Sequence, residues 1–446
     1  MNYEQRLKRA IPGGAHTYSR GADQFPANAP QILAGGQGAY VWDPEGRRYL
    51  DYGMALRAVT LGYADPRVNA AAIRQIELGN NLTRASLVEL EAAELLVDLI
   101  PSVDMVKFAK NGSNATTAAV KIARAHTGRP YVCVPRQHPF FSFDDWFIGT
   151  TALQRGIPER GAALTLLFDY NDLASLKRHF EDHPGQIAAV MMEPATTQVP
   201  APFAADALTA EAPATPTGGH YLSEVQALCR REGALFILDE MITGFRWLQQ
   251  GAQTYFDVEP DLCTFGKGMA NGFSVAAVAG RRDVMEVGSI NRPGERTFLL
   301  STTHGGEMSG LGAFVETMRI YSEKDVCRYL WDYGRRLKNG LQGIAAEQGV
   351  AEHFVIEGPA ICLNYVTRDA EGAASMKFRA LYAQEMLKQG VMMPWVAISA
   401  AHGETELELT LTAARQALAV YRRALDEGVE RYLEGHELKP VFRRFN

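Results

Sequence analysis

The sequence predicts an α/β protein in which a large domain holds a mainly parallel sheet and a smaller domain is α+β. Between about residues 100 and 280, short apolar runs rich in β-branched residues alternate with stretches whose apolar residues recur at helical spacing. This alternation favours a parallel sheet covered by helices on both faces. Beyond about residue 310, long charged helical stretches surround short apolar runs, which indicates the second domain.

The individual elements follow from that periodicity. Strands are expected at 106–110, 131–134, 164–168, 188–193, 235–239, 262–266 and 274–279, with helices at 113–127, 171–181 and 221–232. In the tail, helices are expected at 318–347, 376–389 and 405–427, around a short run at 361–366. The Ala-, Pro- and Thr-rich stretch 200–219 is expected to be a surface insertion. The predicted division is an N-terminal segment 1–65 that packs with the small domain, a large domain 66–310 and a small domain 311–446.

Composition excludes several classes of function. The 446 residues include 45 Lys and Arg against 51 Asp and Glu, a formal net charge of −6, which argues against a nucleic-acid partner. The charged N-terminus lacks the apolar core of a signal peptide, and no stretch approaches the length of a membrane span. The five cysteines are widely spaced without a CxxC pair, which favours buried thiols over disulfides or a metal site. We therefore expect a cytoplasmic protein with no membrane partner and no metal.

Two acidic residues close the apolar run 235–238. Burying a carboxylate at the end of an apolar strand costs free energy unless a positive group lies beside it. Asp239 is therefore expected to pair with a cation. A helix N-cap or a salt bridge to a core arginine explains the acid equally well.

A lysine follows the next predicted strand, between Gly266 and Gly268. Crowding and partial desolvation disfavour its ammonium form, which makes Lys267 a plausible amine nucleophile towards an aldehyde. A surface lysine that extends its charge into water is the alternative, but it would not need glycines on both sides.

The stretch Lys110-Asn111-Gly112-Ser113-Asn114 lies between a predicted strand and a long predicted helix. Backbone N–H groups and a hydroxyl at a helix N-terminus form an anion site, although Ser113 is equally suited to be an ordinary N-cap. The three stretches together match a cofactor with a phosphate, an aldehyde and a basic ring nitrogen, which is pyridoxal 5'-phosphate. Lys267 would hold the aldehyde as a Schiff base, Asp239 would keep the ring nitrogen protonated, and Gly112 with Ser113 would bind the phosphate.

The chain resembles the class III aminotransferases, and among them most closely the glutamate-1-semialdehyde 2,1-aminomutase group. The resemblance covers nearly the whole length and rests on ILDEMITGFR (237–246), DLCTFGKGMANG (261–272), MMEP (191–194), KNGSNA (110–115), IPGGAHTYSRG (11–21) and ISAAH (398–402). It implies the type I fold of pyridoxal phosphate enzymes and a homodimer with shared active sites. It also implies that Glu193 helps to order the site and that Thr303 reaches the phosphate of the partner subunit's cofactor.

The stretches that differ from the family concern the cofactor ring and its phosphate. In the family an aromatic residue, commonly the Tyr of a Tyr-His-Gly turn, covers the ring. Here the matching stretch 136–141 reads RQHPFF, so the role is expected to pass to His138 or a nearby Phe, or to be lost. Ser113 and Asn114 replace the usual Thr-Glu of the phosphate turn, which keeps a hydroxyl and removes an acid.

Substrate residues follow from the same resemblance. Arg20 matches the arginine that holds the substrate carboxylate in the aminomutases, and Thr17 stands where they carry a serine. A surface ion pair is the alternative for Arg20. Arg57 falls where the family lines its pocket, so a more polar wall is expected there.

Two shortened segments bear on the reaction. The stretch 146–161 lacks the Gly/Ser-rich composition of the aminomutase gating loop, and 392–397 omits a glutamate typical of those enzymes. Both differences favour a ping-pong aminotransferase that moves an amino group from a donor to a keto acid, aldehyde or sugar-like acceptor. An aminomutase that transfers the group within one molecule and a non-catalytic binding protein with the same fold are the two alternatives.

Overall fold

A computed structural model describes residues 2–445, and the backbone divides into two compact units. The larger unit is Pro66–Tyr329, and the smaller unit joins the residues up to Asp65 with those from Leu330 onwards. The boundary expected after residue 310 falls inside the helix Met308–Lys324, so residues 311–329 belong to the larger unit. The reason is packing, since that helix is buried along most of its length against other helices of the larger unit.

The elements are numbered in chain order. The strands are β1 (Gly35–Gln37), β2 (Tyr40–Trp42), β3 (Arg48–Asp51), β4 (Met105–Ala109), β5 (Tyr131–Pro135), β6 (Thr165–Phe168), β7 (Ile187–Met192), β8 (Leu235–Glu240), β9 (Leu262–Phe265), β10 (Ala276–Gly280), β11 (Phe354–Glu357), β12 (Asn364–Thr367) and β13 (Val391–Met392). The α-helices are α1 (Tyr3–Ala10), α2 (Met54–Arg57), α3 (Pro66–Glu77), α4 (Leu87–Leu99), α5 (Gly112–Thr127), α6 (Asp145–Ile148), α7 (Glu159–Ala162), α8 (Leu173–Asp182), α9 (Tyr221–Glu232), α10 (Ala252–Tyr255), α11 (Arg282–Met285), α12 (Met308–Lys324), α13 (Val326–Glu347), α14 (Met376–Lys388) and α15 (Glu404–Glu427).

The larger unit is built on a seven-stranded sheet in the order β4-β10-β9-β8-β7-β5-β6. The five strands from β9 to β6 run parallel, whereas β10 is antiparallel to both β9 and β4. Every residue of β7 and β8 is buried, as expected of central strands covered by helices on both faces. The mainly parallel sheet predicted from the sequence is therefore confirmed.

The parallel strands place the expected polar residues at one edge of this sheet. Asp239 lies near the end of β8, Glu193 directly follows β7, and Lys267 follows β9 after one glycine. Because β7, β8 and β9 are neighbours and parallel, their carboxyl ends meet at the same edge, where ligands of such sheets bind.

The smaller unit combines a four-stranded sheet, β1-β2-β3-β13, with the two-stranded pair β11–β12 and the long helices α14 and α15. Strand β3 of the N-terminal segment pairs in parallel with β13 of the C-terminal part. The single helix expected at 318–347 is two helices, because Asp325 between α12 and α13 has a left-handed φ of 44°. The five cysteines of the chain are buried thiols. Within the described residues, no helix is both long and apolar enough to cross a bilayer.

Candidate active site

Asp239 is held at the end of β8 by a hydrogen bond from the neighbouring strand. It lies opposite Thr264 of β9 in the sheet register, and the Thr264 hydroxyl donates to Asp239 Oδ1 at 2.9 Å. The backbone N–H of Met241 donates to the same oxygen at 3.0 Å. Burial raises the pKa of Asp239 to about 6, although both hydrogen bonds and the charge of Lys267 act to lower it.

Lys267 begins a short 3₁₀ turn, Lys267–Ala270, immediately after β9. Its φ of 44° lies in the left-handed region, which is sparsely populated by residues other than glycine and asparagine. The side chain is half-buried, and its charge lowers the pKa of Asp239. Strained backbone of this kind is found disproportionately at functional sites.

Met241 explains two of the glycines in the sequence motifs. A Cβ atom on Gly266 would lie 2.6 Å from Met241 Sδ, and one on Gly112 would lie 3.0 Å from the same sulfur. Both distances are below ordinary van der Waals contact, so Met241 would have to shift if either glycine gained a side chain. The start of α5, the turn before Lys267 and the residues that follow Asp239 therefore all lie close to the Met241 sulfur.

The N-terminus of α5 begins at Gly112 after the N-cap Asn111. The backbone N–H of Asn114 donates to Asn111 Oδ1 at 2.9 Å, which fixes the first turn. Ser113 is buried, and its Oγ accepts a hydrogen bond of 3.1 Å from the Phe143 N–H. The serine hydroxyl thus links the helix start to the turn after β5, and the free end of the 16-residue helix is suited to an anion through its backbone N–H groups.

His138, in the turn after β5, is buried beside Glu193. Only 3% of its surface is exposed, and Nδ1 accepts a hydrogen bond of 3.0 Å from the Glu193 N–H. Burial lowers the pKa of His138 to about 3, so the ring is neutral near pH 7. A ring that stacks on a cofactor must have an accessible face when the cofactor is absent, and His138 does not.

Phe140, unlike His138, has an exposed ring. Its ring is 45% exposed and makes a T-shaped contact with Phe147, with ring centroids 5.8 Å apart. The sequence alone indicates a nearby Phe without choosing one. The aromatic residues after β5 are a visible signal, but only the structure separates the exposed Phe140 from Phe141, which is 2% exposed.

Thr303 lies in an exposed loop before α12. Its carbonyl oxygen accepts a hydrogen bond of 3.1 Å from Asn81 Nδ2. Farther along the loop, Glu307 forms a salt bridge of 2.8 Å with Lys110, and that bond lowers the pKa of Glu307 to about 2. The loop is therefore tied to the residue that precedes the α5 N-cap, while Thr303 itself faces outwards.

The expected substrate residues lie in the smaller unit, where a cavity of about 740 Å³ is lined by Arg20. Ala55 and Leu56 also line this cavity. Within the described residues, neither Arg57 nor Thr17 does. Leu56 lines this cavity and Arg57 does not, because consecutive residues of a turn point in different directions. The polar pocket wall expected from Arg57 stays a prediction.

The turn that carries Leu56 is left-handed. Met54, Ala55, Leu56 and Arg57 all have positive φ, between 40° and 67°. Asp51 stabilises this turn by accepting hydrogen bonds from the Gly53 N–H at 2.7 Å and the Met54 N–H at 3.0 Å.

Tyr63 completes this arrangement. Its hydroxyl donates to Asp51 Oδ2 at 2.6 Å and accepts from the Ala55 N–H at 2.9 Å. Sequence reasoning did not identify this pair, because neither residue stands in a recognisable motif.

The fold and the residues at the sheet edge define a class of protein. The aminotransferase class-III family model matches residues 24–397, and the chain belongs to that family of pyridoxal 5'-phosphate-dependent enzymes with the type I fold.

Relatives of known name agree with this assignment. A glutamate-1-semialdehyde 2,1-aminomutase from Thermus thermophilus is 32% identical, over 93% of this chain and 97% of its own length. The solved structure of the FumI protein of Sphingopyxis sp. MTA144, in its PLP internal aldimine form, has a TM-score of 0.83 at 28% identity and covers 95% of this chain and 97% of its own. An omega-transaminase from Sphaerobacter thermophilus has a TM-score of 0.78 at 24% identity, over 94% of this chain and 97% of its own, and shows the fold alone.

The residues present fit the family's cofactor. Among the described residues, both hydrogen bonds to the Asp239 carboxylate use Oδ1, which leaves Oδ2 for a protonated ring nitrogen. The α5 N-terminus suits the phosphate, and the amine of Lys267 lies close enough for its charge to act on Asp239. The ring of Phe140, in the loop after β5, is an accessible aromatic surface.

Proposed function

We propose that this protein transfers an amino group between two separate substrates, a donor amine and a carbonyl acceptor, in a ping-pong reaction. The observation that carries the proposal is the placement of Lys267 and Asp239 at the ends of two adjacent parallel strands, with the charge of one acting on the other. A carboxylate and an amine so placed match the two ends of the cofactor's ring system.

When bound, pyridoxal phosphate supplies an aldehyde carbon and a ring that accepts electrons. Lys267 would hold the aldehyde through Nζ, and the same amine would carry the substrate proton as general base and acid. Asp239 would hold a proton on the ring nitrogen through Oδ2, an electrostatic contribution strengthened by its burial. Glu193 would act on the site by orienting the buried His138 through its backbone N–H.

The phosphate would be bound by the backbone N–H groups of Gly112 and Ser113, while Asn114, whose own N–H donates to Asn111 Oδ1, would hold the first turn of α5 in place. The hydroxyl of Ser113 would hold the turn that carries Phe140. We assign the ring-covering role to Phe140 in place of His138, because its aromatic surface is accessible.

The expected assembly is a homodimer in which Thr303 binds the phosphate at the partner subunit's site. Support comes from exposed apolar side chains in the region of α3 and α4, namely Ile73, Ile76, Leu78, Leu82, Leu87 and Leu90, which form the kind of surface that another protein covers. The exposed position of Thr303 agrees with a contact outside its own chain.

A mixing experiment tests this assembly. Lys267→Ala and Thr303→Ala are each expected to be almost inactive, but a hybrid dimer restores one intact site. An equimolar mixture, unfolded and refolded together, should recover about a quarter of the parent activity. No recovery, with hybrid dimers shown by native mass spectrometry, would contradict a shared site.

Trp395 is the observation that favours transfer between two substrates over an aminomutase reaction. It occupies the shortened segment that omits a glutamate typical of the aminomutases, and its indole N–H donates to the Gly53 carbonyl at 2.9 Å. In this segment an aromatic side chain lines the cavity. The donor and acceptor are small molecules, and we place the reaction in the cytoplasm as a prediction from the sequence.

Absorbance of the purified protein tests the assignment. We expect a visible band that borohydride removes, loss of turnover in Lys267→Ala, and net amino transfer detected by mass spectrometry. Lys177→Ala, on the unrelated helix α8, is the matched control. Turnover at the parent rate by Lys267→Ala would overturn the role of this lysine. Isomerisation of glutamate semialdehyde without net transfer would favour the aminomutase, and absence of a cofactor band would favour a non-catalytic protein.

A further inference from the structure

We infer that Glu240, the second acid of the motif 237–246, is a positioning residue that holds Asp239 towards the ring nitrogen of the cofactor. This inference rests on the proposed function, in which Asp239 binds that nitrogen. Glu240 is the last residue of β8 and is completely buried. Successive side chains of a strand point to opposite faces of the sheet, so Glu240 would act through Asp239 and not by touching the cofactor.

Four hydrogen bonds hold the carboxylate of Glu240. Oε2 accepts from the Thr243 hydroxyl at 2.6 Å and from the Ala252 N–H at 2.8 Å. Oε1 accepts from the Gln253 N–H at 2.8 Å and from the side-chain amide of the same residue at 3.3 Å. Within residues 2–445, all of these donors are neutral. An apolar side chain would avoid the cost of burying an acid here, which favours a role for Glu240 beyond packing.

The same bonds fix the turn that follows Asp239. The Gly244 N–H donates to the backbone carbonyl of Glu240 at 2.9 Å, so Thr243 and Gly244 close the turn together. The first N–H of this turn belongs to Met241, and it donates to Asp239 Oδ1 at 3.0 Å. Movement of the Glu240 side chain would therefore displace one of the groups that orient the Asp239 carboxylate.

The segment that returns to Glu240 approaches it closely. Gly251 has a φ of 89°, and a Cβ atom there would lie 2.7 Å from Glu240 Oε1. Glycine adopts this backbone conformation without strain. Gln253 extends the contact, because its Oε1 accepts a hydrogen bond from the Ser102 hydroxyl. The end of β8 is therefore tied both to the turn after it and to the residues before β4.

The charge of Glu240 also acts on Asp239. Burial is the main cause of the raised pKa of Asp239, and the negative charge of Glu240 raises it further. Burial raises the pKa of Glu240 as well, whereas its four hydrogen bonds lower it. Four donors directed at two oxygens match an ionised carboxylate, which only accepts. A second anion behind Asp239 would favour positive charge on a ring nitrogen that Asp239 binds.

Two ligands that differ only at the ring nitrogen test the inference. Pyridoxal phosphate and its carbocyclic analogue, in which a C–H group replaces the nitrogen, share the phosphate and the aldehyde. Isothermal titration of the cofactor-free protein measures the affinity for each. We expect Glu240→Gln to lower the affinity for pyridoxal phosphate by about tenfold and to leave that for the analogue near the parent value. An equal loss for both ligands would mean that Glu240 only supports the fold, and would overturn the inference.

Glu316→Gln is the matched control. Glu316 is a second buried carboxylate of the larger unit, on α12, and it forms a salt bridge of 2.8 Å with Arg67. Its substitution should leave the ratio of the two affinities at the parent value. A change of this ratio as large as that in Glu240→Gln would mean that any lost carboxylate has the effect, and would overturn the inference.

The Asp239→Asn chain shows whether Glu240 acts through Asp239. In that chain Glu240→Gln should have no further effect on the affinity for pyridoxal phosphate, because the two substitutions interrupt one interaction. Additive losses would overturn the inference. Preference for pyridoxal phosphate that is lost in Asp239→Asn but kept in Glu240→Gln would overturn the inference alone. Preference unchanged in Asp239→Asn would overturn the proposed role of Asp239 and the inference with it.

Thr243 provides a milder variant if Glu240→Gln does not fold. Thr243→Val keeps the volume of this buried side chain and removes one donor to Glu240. It should lower the affinity for pyridoxal phosphate relative to the analogue by about threefold. Thr243→Ser keeps the hydroxyl and should retain the preference of the parent. An unchanged preference in Thr243→Val, with folding shown by circular dichroism, would overturn the inference.

Discussion

Thr264 Oγ1 donates a hydrogen bond of 2.9 Å to Asp239 Oδ1 across neighbouring parallel strands of the sheet. The bond stabilises the ionised form of a carboxylate that burial would otherwise neutralise. It also fixes which oxygen remains for the cofactor. Thr264 therefore influences the charge of Asp239, although it is neither the acid nor the lysine of the motifs.

Replacing Thr264 with valine should weaken cofactor binding. The change keeps the side-chain volume but removes a hydrogen bond to a charged group, so we expect a loss of about tenfold in affinity for pyridoxal phosphate. Titration of the cofactor-free protein by absorbance measures this. Thr264→Ser keeps the hydroxyl, so its affinity for pyridoxal phosphate should stay near that of the parent. An equal loss of affinity in both variants would indicate an effect of packing and not of the hydrogen bond.

The pH dependence of stability should contain a contribution from Asp239. Its pKa is raised from 3.8 to about 6 in the folded, cofactor-free protein, so the folded state binds the proton more tightly than the unfolded state. The stabilisation from this group is therefore fully present below about pH 4 and is lost as the pH rises through 6, by roughly 3 kcal/mol in all.

Chemical unfolding of parent and Asp239→Asn between pH 4 and 7 isolates this contribution, because the other titrating groups are common to both. The difference in free energy of unfolding between the parent and Asp239→Asn should change between pH 4 and pH 7. A difference that stays constant with pH would contradict the raised pKa.

Steric contact with Met241 should make Gly266 intolerant of alanine. A Cβ there would lie 2.6 Å from Met241 Sδ, so Gly266→Ala should cost about 1–3 kcal/mol of unfolding free energy. Met241→Ala in the same chain should relieve the added cost. Gly343 is the control and should tolerate alanine, because a Cβ atom added there would have no neighbouring atom within 4 Å. Independent, additive effects of the two substitutions would exclude the contact.

The left-handed turn predicts an unusual effect of glycine. Ala55 has a φ of 49°, so Ala55→Gly should relieve strain and raise the free energy of unfolding by about 1 kcal/mol. Ala58, with a φ of −86°, is the matched control, and glycine there should be destabilising. Thermal unfolding of both variants checks the sign. Destabilisation of equal size at both positions would mean that the turn is not strained.

Local sequence was sufficient for much of the fold. Each of the seven predicted strands between residues 106 and 279 overlaps an observed strand of the large sheet, because alternation of short apolar runs with helical periodicity is a local signal. The tail was harder to predict. Asp325 interrupts an otherwise continuous helical pattern, and the packing of α12 assigns residues 311–329 to the larger unit.

For the candidate site, too, the sequence predicted some features and the tertiary structure decided others. The sequence by itself determined the chemical groups, because residue type and spacing along the chain encode them. These groups are the acid at the end of one strand, the lysine after the next strand along the chain, and the glycine and hydroxyl at the start of α5. Only the tertiary structure decided that His138 is buried while Phe140 is exposed, and that Leu56, not Arg57, lines the cavity. The physical reason is that burial and side-chain direction depend on elements distant in sequence, such as the Glu193 N–H that donates to His138 and the Asp51–Tyr63 pair that holds the left-handed turn.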